Sequence, residues 1–247
     1  MKRLIIFVMI LLVSLTTLSF AEGDSVSLKW LGQSCVVLTM PNGKTIVIDP
    51  YGDDIGYDKL KLSADIVLIT HEHPDHNNVS AITSPNPTIF HGLTDKGADY
   101  NKVSYTKDGI EIYNVNTFHD AQGGKQRGKN TVMVIQINGK KIVHLGDLGH
   151  LLNNEQLKSI GHADILLIPV GGFYTIDATS ANRVIDQMKP SVVIPIHYKT
   201  DKTGKLPIST KDDFLKDKKY AEMKGNEYKF DLKKQKTYRE YIVLNYK

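Results

Sequence analysis

The chain has 247 residues, 41% hydrophobic and 23% charged, as in an ordinary globular protein. This composition excludes a disordered or collagen-like chain and leaves room for one large domain or two small ones. The formal net charge of +4 is too weak to argue for nucleic acid as a partner, and none is expected.

The first element in chain order is not part of a fold. Lys2 and Arg3 are followed by an almost continuous apolar run, Leu4 to Leu15. Ser19-Phe20-Ala21 then places small residues at −3 and −1 of a cleavage site. This is the order of a secretory signal peptide over residues 1–21, cut after Ala21. It predicts a single domain over 22–247 and a periplasmic or extracellular product; an uncleaved anchor is the alternative. Cleavage removes two basic and no acidic residues, so the formal charge falls from +4 to +2. No later segment approaches the roughly 18 apolar residues of a membrane helix, so no stable membrane insertion is expected after cleavage.

A strand over Val26–Leu31 comes next, followed by an internal echo. Val36–Leu38 and Ile46–Ile48 are β-rich runs joined through Asn42-Gly43. Val132–Ile137 and Ile142–Leu145 are joined through Asn138-Gly139. Asn-Gly is a strong hairpin signal. The two copies reach Asp49 and Asp147, and an apolar strand follows each, Asp65–Ile69 and Asp164–Ile168. Two similar halves packed face to face are predicted. Further strands are predicted at Thr88–His91, Ile110–Asn116, Val192–Ile196 and Tyr241–Asn245. Helices are predicted at Asn153–Ile160, Ser180–Met188 and Ser209–Tyr220, the last capped by Ser209 or Thr210. The pattern implies two mixed sheets covered by helices. Cys35, the only cysteine, excludes an intramolecular disulfide and a zinc–thiolate cluster. Its apolar neighbours make it a small core residue. The Lys-rich C-terminal third (Lys216, Lys218, Lys219, Lys233, Lys234, Lys236) reads as a solvated face.

The most chemically pointed segment is His71-Glu72-His73-Pro74-Asp75-His76, directly after an apolar strand. Side chains two apart on extended backbone point the same way, so His71 and His73 can aim at one point. After a turn at Pro74, Asp75 and His76 can aim at a neighbouring one. Imidazole and carboxylate are ligands for zinc and similar metals. His119, Asp147 and His197 also follow strands and can reach the same rim. His71, His73 and His119 then form one site; Asp75, His76 and His197 form a second. The two oxygens of Asp147 bridge both. Asp49 is expected to hydrogen-bond the metal loop. His91, His150 and His162 have no assigned role, and His144 is either a supporting residue or a strand residue. Tyr174, Thr175 and Tyr198 are either substrate contacts or packing residues.

The H-x-H-x-D-H run, His119, Gly146-Asp147 and Pro195-Ile196-His197-Tyr198 resemble the metallo-β-lactamase superfamily. Within it, Trp30-Leu31-Gly32-Gln33-Ser34, Ile48-Asp49-Pro50 and Pro169–Asp177 resemble a bacterial metal-dependent hydrolase branch described as ascorbate-lactonase-like. The resemblance spans about residues 28–200. It implies an α/β (α+β) fold, a four-layer αββα sandwich. The branch usually has Thr at position 148 and often His at position 33, where this chain has Leu148 and Gln33.

The activity expected is metal-dependent hydrolysis. Two divalent ions, zinc first with manganese or iron compatible, activate water for attack on a lactone, ester, amide or phosphodiester of a small molecule. Asp75 orients the nucleophile or takes its proton. An iron-dependent redox enzyme of the same fold and a non-catalytic exported metal-binding module are the alternatives. Metal identity and a visible absorption band separate them. The oligomeric state is left open.

Overall fold

The computed structural model describes residues 24–246, so the signal peptide and its cleavage site lie outside the described residues. The internal echo is realised as repeated topology. In the first half, β1 (Ser25–Gly32), β2 (Cys35–Thr39) and β3 (Thr45–Ile48) run antiparallel. They are followed by β4 (Ile66–Ile69) and β5 (Thr88–His91), both parallel to the strand before. After the exposed edge strand β6 (Ser104–Lys107) the order recurs. Strands β7 (Ile110–Phe118), β8 (Lys129–Ile137) and β9 (Lys140–His144) are antiparallel. Beyond helix α1 (Asn154–Ile160) comes parallel β10 (Ile165–Pro169), and beyond α2 (Ala178–Met188) comes parallel β11 (Val192–Ile196). A one-turn helix α3 (Asp212–Leu215) precedes β12 (Ala221–Glu222), β13 (Glu227–Asp231) and β14 (Glu240–Val243).

Among the described residues the first sheet runs β13-β1-β2-β3-β4-β5 and the second β12-β14-β11-β10-β9-β8-β7-β6. One continuous core joins them, with Leu28, Leu38, Ile46 and Leu68 from the first and Ile135, Ile142 and Leu166 from the second. Strand β4 is apolar at every position, and β3 at every position after Thr45, because both their faces are covered. Ile46, Ile48, Ile66 and Leu68 enter the inter-sheet core. Val47, Val67 and Ile69 enter a smaller cluster with Cys35, Tyr51 and Tyr57. Helix α2 buries Ala181, Val184, Ile185 and Met188 against the other sheet, their helical spacing making one apolar stripe. The arrangement is the αββα sandwich of two mixed sheets flanked by helices.

Helix starts follow local chemistry. Asn153 forms a capping box with Gln156 at α1, and Asp177 caps α2 through the Ser180 N–H. The helix predicted over Ser209–Tyr220 is corrected to α3 alone. Phe214 and Leu215 are its only buried residues, and helices this short draw stability from packing. With exposed Lys216, Asp217 and Lys219 beyond them, nothing holds a further turn. Two strands went unpredicted in addition to the two-residue β12. Strand β6 has no buried residue. Strand β13 pairs with β1, Tyr228 opposite Leu28, some two hundred positions away in the chain.

Candidate metal centre

The loop after β4 turns where Pro74 was expected to turn it, with His76 N–H bonded to the His73 carbonyl at 2.9 Å. His71 Nε2 and His73 Nδ1 lie 3.2 Å apart. His119 directly follows β7, His197 directly follows β11, and Asp147 follows β9. All seven side chains converge into two groups, one of His71, His73 and His119, the other of Asp75, His76, Asp147 and His197.

The hub is one oxygen. Asp147 Oδ2 lies 3.3 Å from His76 Nε2, 3.2 Å from His119 Nε2 and 3.2 Å from His197 Nε2. Asp147 Oδ1 instead faces the Ser34 hydroxyl at 3.4 Å. Of the two oxygens, Oδ2 is the one that lies beside histidines of both groups. Ligand atoms about 2.0–2.1 Å from one tetrahedral ion lie about 3.3 Å apart, and the spacings here match. The buried His76 Nε2 has no hydrogen-bond partner and points into the cluster. The donor set fits a pair of divalent cations.

Electrostatics agree with that fit. Burial, aided by neighbouring His76, holds the His71 imidazole well below its ordinary pKa. Burial opposes charge on His76, but the Asp147, Asp75 and Asp49 carboxylates outweigh it and raise His76 well above the usual value. Burial likewise opposes ionisation of Asp147, and His197 and His76 overcome it, holding its carboxyl well below the usual range. Imidazole protons thus balance carboxylates where metal charge can replace them.

Supporting contacts set the tautomers. Asp49 accepts from Thr70 N–H at 2.8 Å and from Thr70 Oγ1 at 2.7 Å, and its Oδ2 is 3.0 Å from His76 Nδ1. Thr70 Oγ1 is in turn 3.0 Å from His71 Nδ1. Protons on these Nδ1 atoms leave both Nε2 lone pairs for metal. Buried Asn130 accepts the Asp147 N–H at 3.0 Å and donates to Thr117 Oγ1 and the Leu145 carbonyl. The Thr131 hydroxyl donates to the Thr70 carbonyl at 2.7 Å, tying the second sheet to the metal loop. His144 accepts from Gly146 N–H at 3.0 Å and reaches the Ser34 carbonyl at 2.9 Å, so it supports the Asp147 turn. Gly149 is required by close approach: a Cβ there would lie 2.3 Å from the His119 carbonyl carbon.

The remaining residues sort plainly. Gln33 is buried, with Nε2 2.9 Å from Asp75 Oδ2 and 2.8 Å from His197 Nε2. His150 accepts the Phe118 N–H at 3.1 Å, anchoring the residue before His119. His91 pairs with Glu72 at 2.8 Å, and His162 sits beside Ser191. Tyr198 is a packing residue, buried 5.0 Å from the Trp30 ring with its hydroxyl on the Leu244 carbonyl. Thr175 bonds the adjacent Ile176 carbonyl. Tyr174 lines a cleft of about 430 Å³ over the candidate ligands, with Gln126 and Arg127. Lys216, Lys219, Lys233, Lys234 and Lys236 are exposed, and among the described residues no helix is long and apolar enough to cross a membrane. Sequence reasoning missed Asn130, Thr131, Asp120 and Arg127, because nothing local marks them.

Residues 27–197 match the family model of the beta-lactamase superfamily domain. A metal-dependent hydrolase from Methanospirillum hungatei is 31% identical over 184 residues, covering 69% of this chain and 82% of its own. One from Thermoplasma acidophilum is 28% identical, covering 72% and 85%. A crystal structure from Thermotoga maritima, provisionally assigned as a Zn-dependent hydrolase of the metallo-β-lactamase superfamily, superposes with a TM-score of 0.66. It is 35% identical and covers 89% of this chain and 98% of its own.

Proposed function

This chain belongs to the beta-lactamase superfamily, and from that premise we propose that it is a metal-dependent hydrolase that uses two zinc ions to cleave a lactone or ester of a small molecule. One observation carries the reading: seven donors form two adjacent groups, and an Asp147 oxygen of the second also lies 3.2 Å from His119 of the first. Bound divalent metals supply an activated water and polarise a carbonyl or phosphoryl oxygen.

The chain's own groups supply the rest. His71, His73 and His119 would hold one ion; Asp75, His76 and His197 the other, with Asp147 between. Asp75 lies on the cleft, its side chain 31% exposed. Burial opposes its ionisation, but His76 beside it outweighs burial and holds its carboxyl well below the usual range. It is thus an anion able to orient the nucleophile and accept its proton. The Gln33 amide, 2.9 Å away, fixes its rotamer. Cys35 is buried in the small cluster and takes no part.

Zinc rests on the imidazole-rich donor set; the lactone or ester rests on the Trp30–Ser34 and Pro169–Asp177 motifs. A panel of lactones, esters, anilides and phosphodiesters, run on zinc-loaded and manganese-loaded protein, tests both. Turnover of none of them with either metal would refute the hydrolase reading. Export rests on residues 1–21, and N-terminal sequencing of the product should begin at Glu22.

A further inference from the structure

The loop from Asp120 to Gly128 is built around one carboxylate. Asp120, 3% exposed, accepts the backbone N–H groups of Gln122 (2.7 Å), Gly124 (3.0 Å), Gln126 (2.9 Å) and Arg127 (2.7 Å). Burial alone would raise its pKa, but these four donors outweigh burial and lower it. Ordering a loop costs backbone entropy, and this ring of bonds to an anion offsets that cost. Its geometric result is to set Gln126 and Arg127 into the wall of the cleft above the metal ligands.

Among the described residues Arg127 is the only Lys or Arg lining that cleft. Its guanidinium carbon lies 5.9 Å from the centre of the Phe173 ring and 5.8 Å from that of Tyr174. Those rings meet edge to face at 4.8 Å, and Phe173 is 60% exposed. Aromatic faces attract the cation and restrain its plane but accept none of its five N–H donors in the plane. Among the described residues no carboxylate or carbonyl pairs with it. A half-buried guanidinium, restrained by its rings and loop with its donors unused, faces the same cleft as His73, Asp75, His119, Asp147 and His197. The adjoining walls, Ile55 and Leu206, are apolar.

We propose that Arg127 is the anion-binding residue of the cleft, and that the substrate carries a carboxylate or phosphate group apart from the bond that is hydrolysed. The proposal rests on the hydrolase reading. A guanidinium offers two parallel N–H donors to either group. Phe173 and Tyr174 keep it extended, so the anion is held while the scissile bond lies over the metal ligands.

The test uses zinc-loaded protein and matched esters. The neutral ester is 4-nitrophenyl valerate; the anionic ones are 4-nitrophenyl hemisuccinate and 4-nitrophenyl phosphoglycolate. Wild-type protein is expected to favour an anionic ester by about tenfold or more in kcat/KM. In Arg127→Gln that preference should fall about tenfold, and Arg127→Lys should restore part of it. The better of the two anionic esters identifies the source of the charge. A wild type with no anionic preference, or an Arg127→Gln protein of unchanged Tm that keeps its preference within twofold, overturns the proposal. If no ester is hydrolysed, the hydrolase reading fails for esters, and calorimetry of the unreactive analogue N-(4-nitrophenyl)succinamic acid decides on Arg127. Weaker binding to Arg127→Gln than to wild type supports the proposal; equal or undetectable binding to both overturns it.

Discussion

Asp49 Oδ2 lies 3.0 Å from His76 Nδ1, and neither side chain is exposed. Asp49 occupies in the first half the place that Asp147 occupies in the second, just beyond the hairpin. Asp147 lies beside histidines of both donor groups, and Asp49 orients one of those histidines, His76. Replacing Asp49 with Asn puts an amide N–H₂ against groups that already donate. Metal affinity beside His76 should fall about 10–100-fold, the usual cost of losing such a partner. Competition with a chromogenic chelator measures this; both affinities staying within twofold would remove Asp49 from the metal centre.

Elemental analysis of protein prepared without chelators should find two divalent ions per chain, because seven donors in two groups exceed what one tetrahedral ion takes. A stoichiometry of one, unchanged by added zinc, would mean that the second group binds nothing.

Asp75→Asn should lower kcat by about 10²–10⁴-fold, the range for a positioned acid–base group, with metal partly retained. The amide keeps shape and one oxygen but cannot take a proton. Activity within a few-fold of wild type at full metal loading would reduce Asp75 to scaffold.

The Cys35 thiol is fully buried. Burial first, and then the Asp49 carboxylate, push its pKa up, so it stays protonated at pH 8 where a free thiol begins to ionise. Iodoacetamide should leave it unmodified in folded protein and label it in denaturant. Labelling of the native state at the rate of a free thiol would contradict the burial.

Asp120→Ala should release the loop that carries Lys125 and Arg127. Without the carboxylate, four backbone N–H groups lose their acceptor and return to water. Limited trypsin digestion should then cut after Lys125 or Arg127 faster than in wild type. Equal cleavage rates would mean that the loop is held by other contacts.

The amino-acid order by itself determined most of the strands, the echo and the donor set, because each is a local signal. Alternating or continuous apolar runs reveal strands, Asn-Gly reveals hairpins, and His71–His76 displays metal chemistry within six positions. Elements without such a signal escaped. Strand β13 exists through its pairing with β1, and the predicted helix after Ser209 shrank to one turn because only Phe214 and Leu215 had something to pack against. Tertiary structure alone decided which oxygen of Asp147 meets both histidine groups. It alone set Asn130 and Thr131 under the metal loop, and it brought Arg127 over Phe173 and Tyr174. Those relationships join residues apart in the chain, which meet only once strands and loops are packed together, across the two sheets for Thr131 with Thr70 and Asp147 with His76, and within one sheet for Asn130 with Asp147.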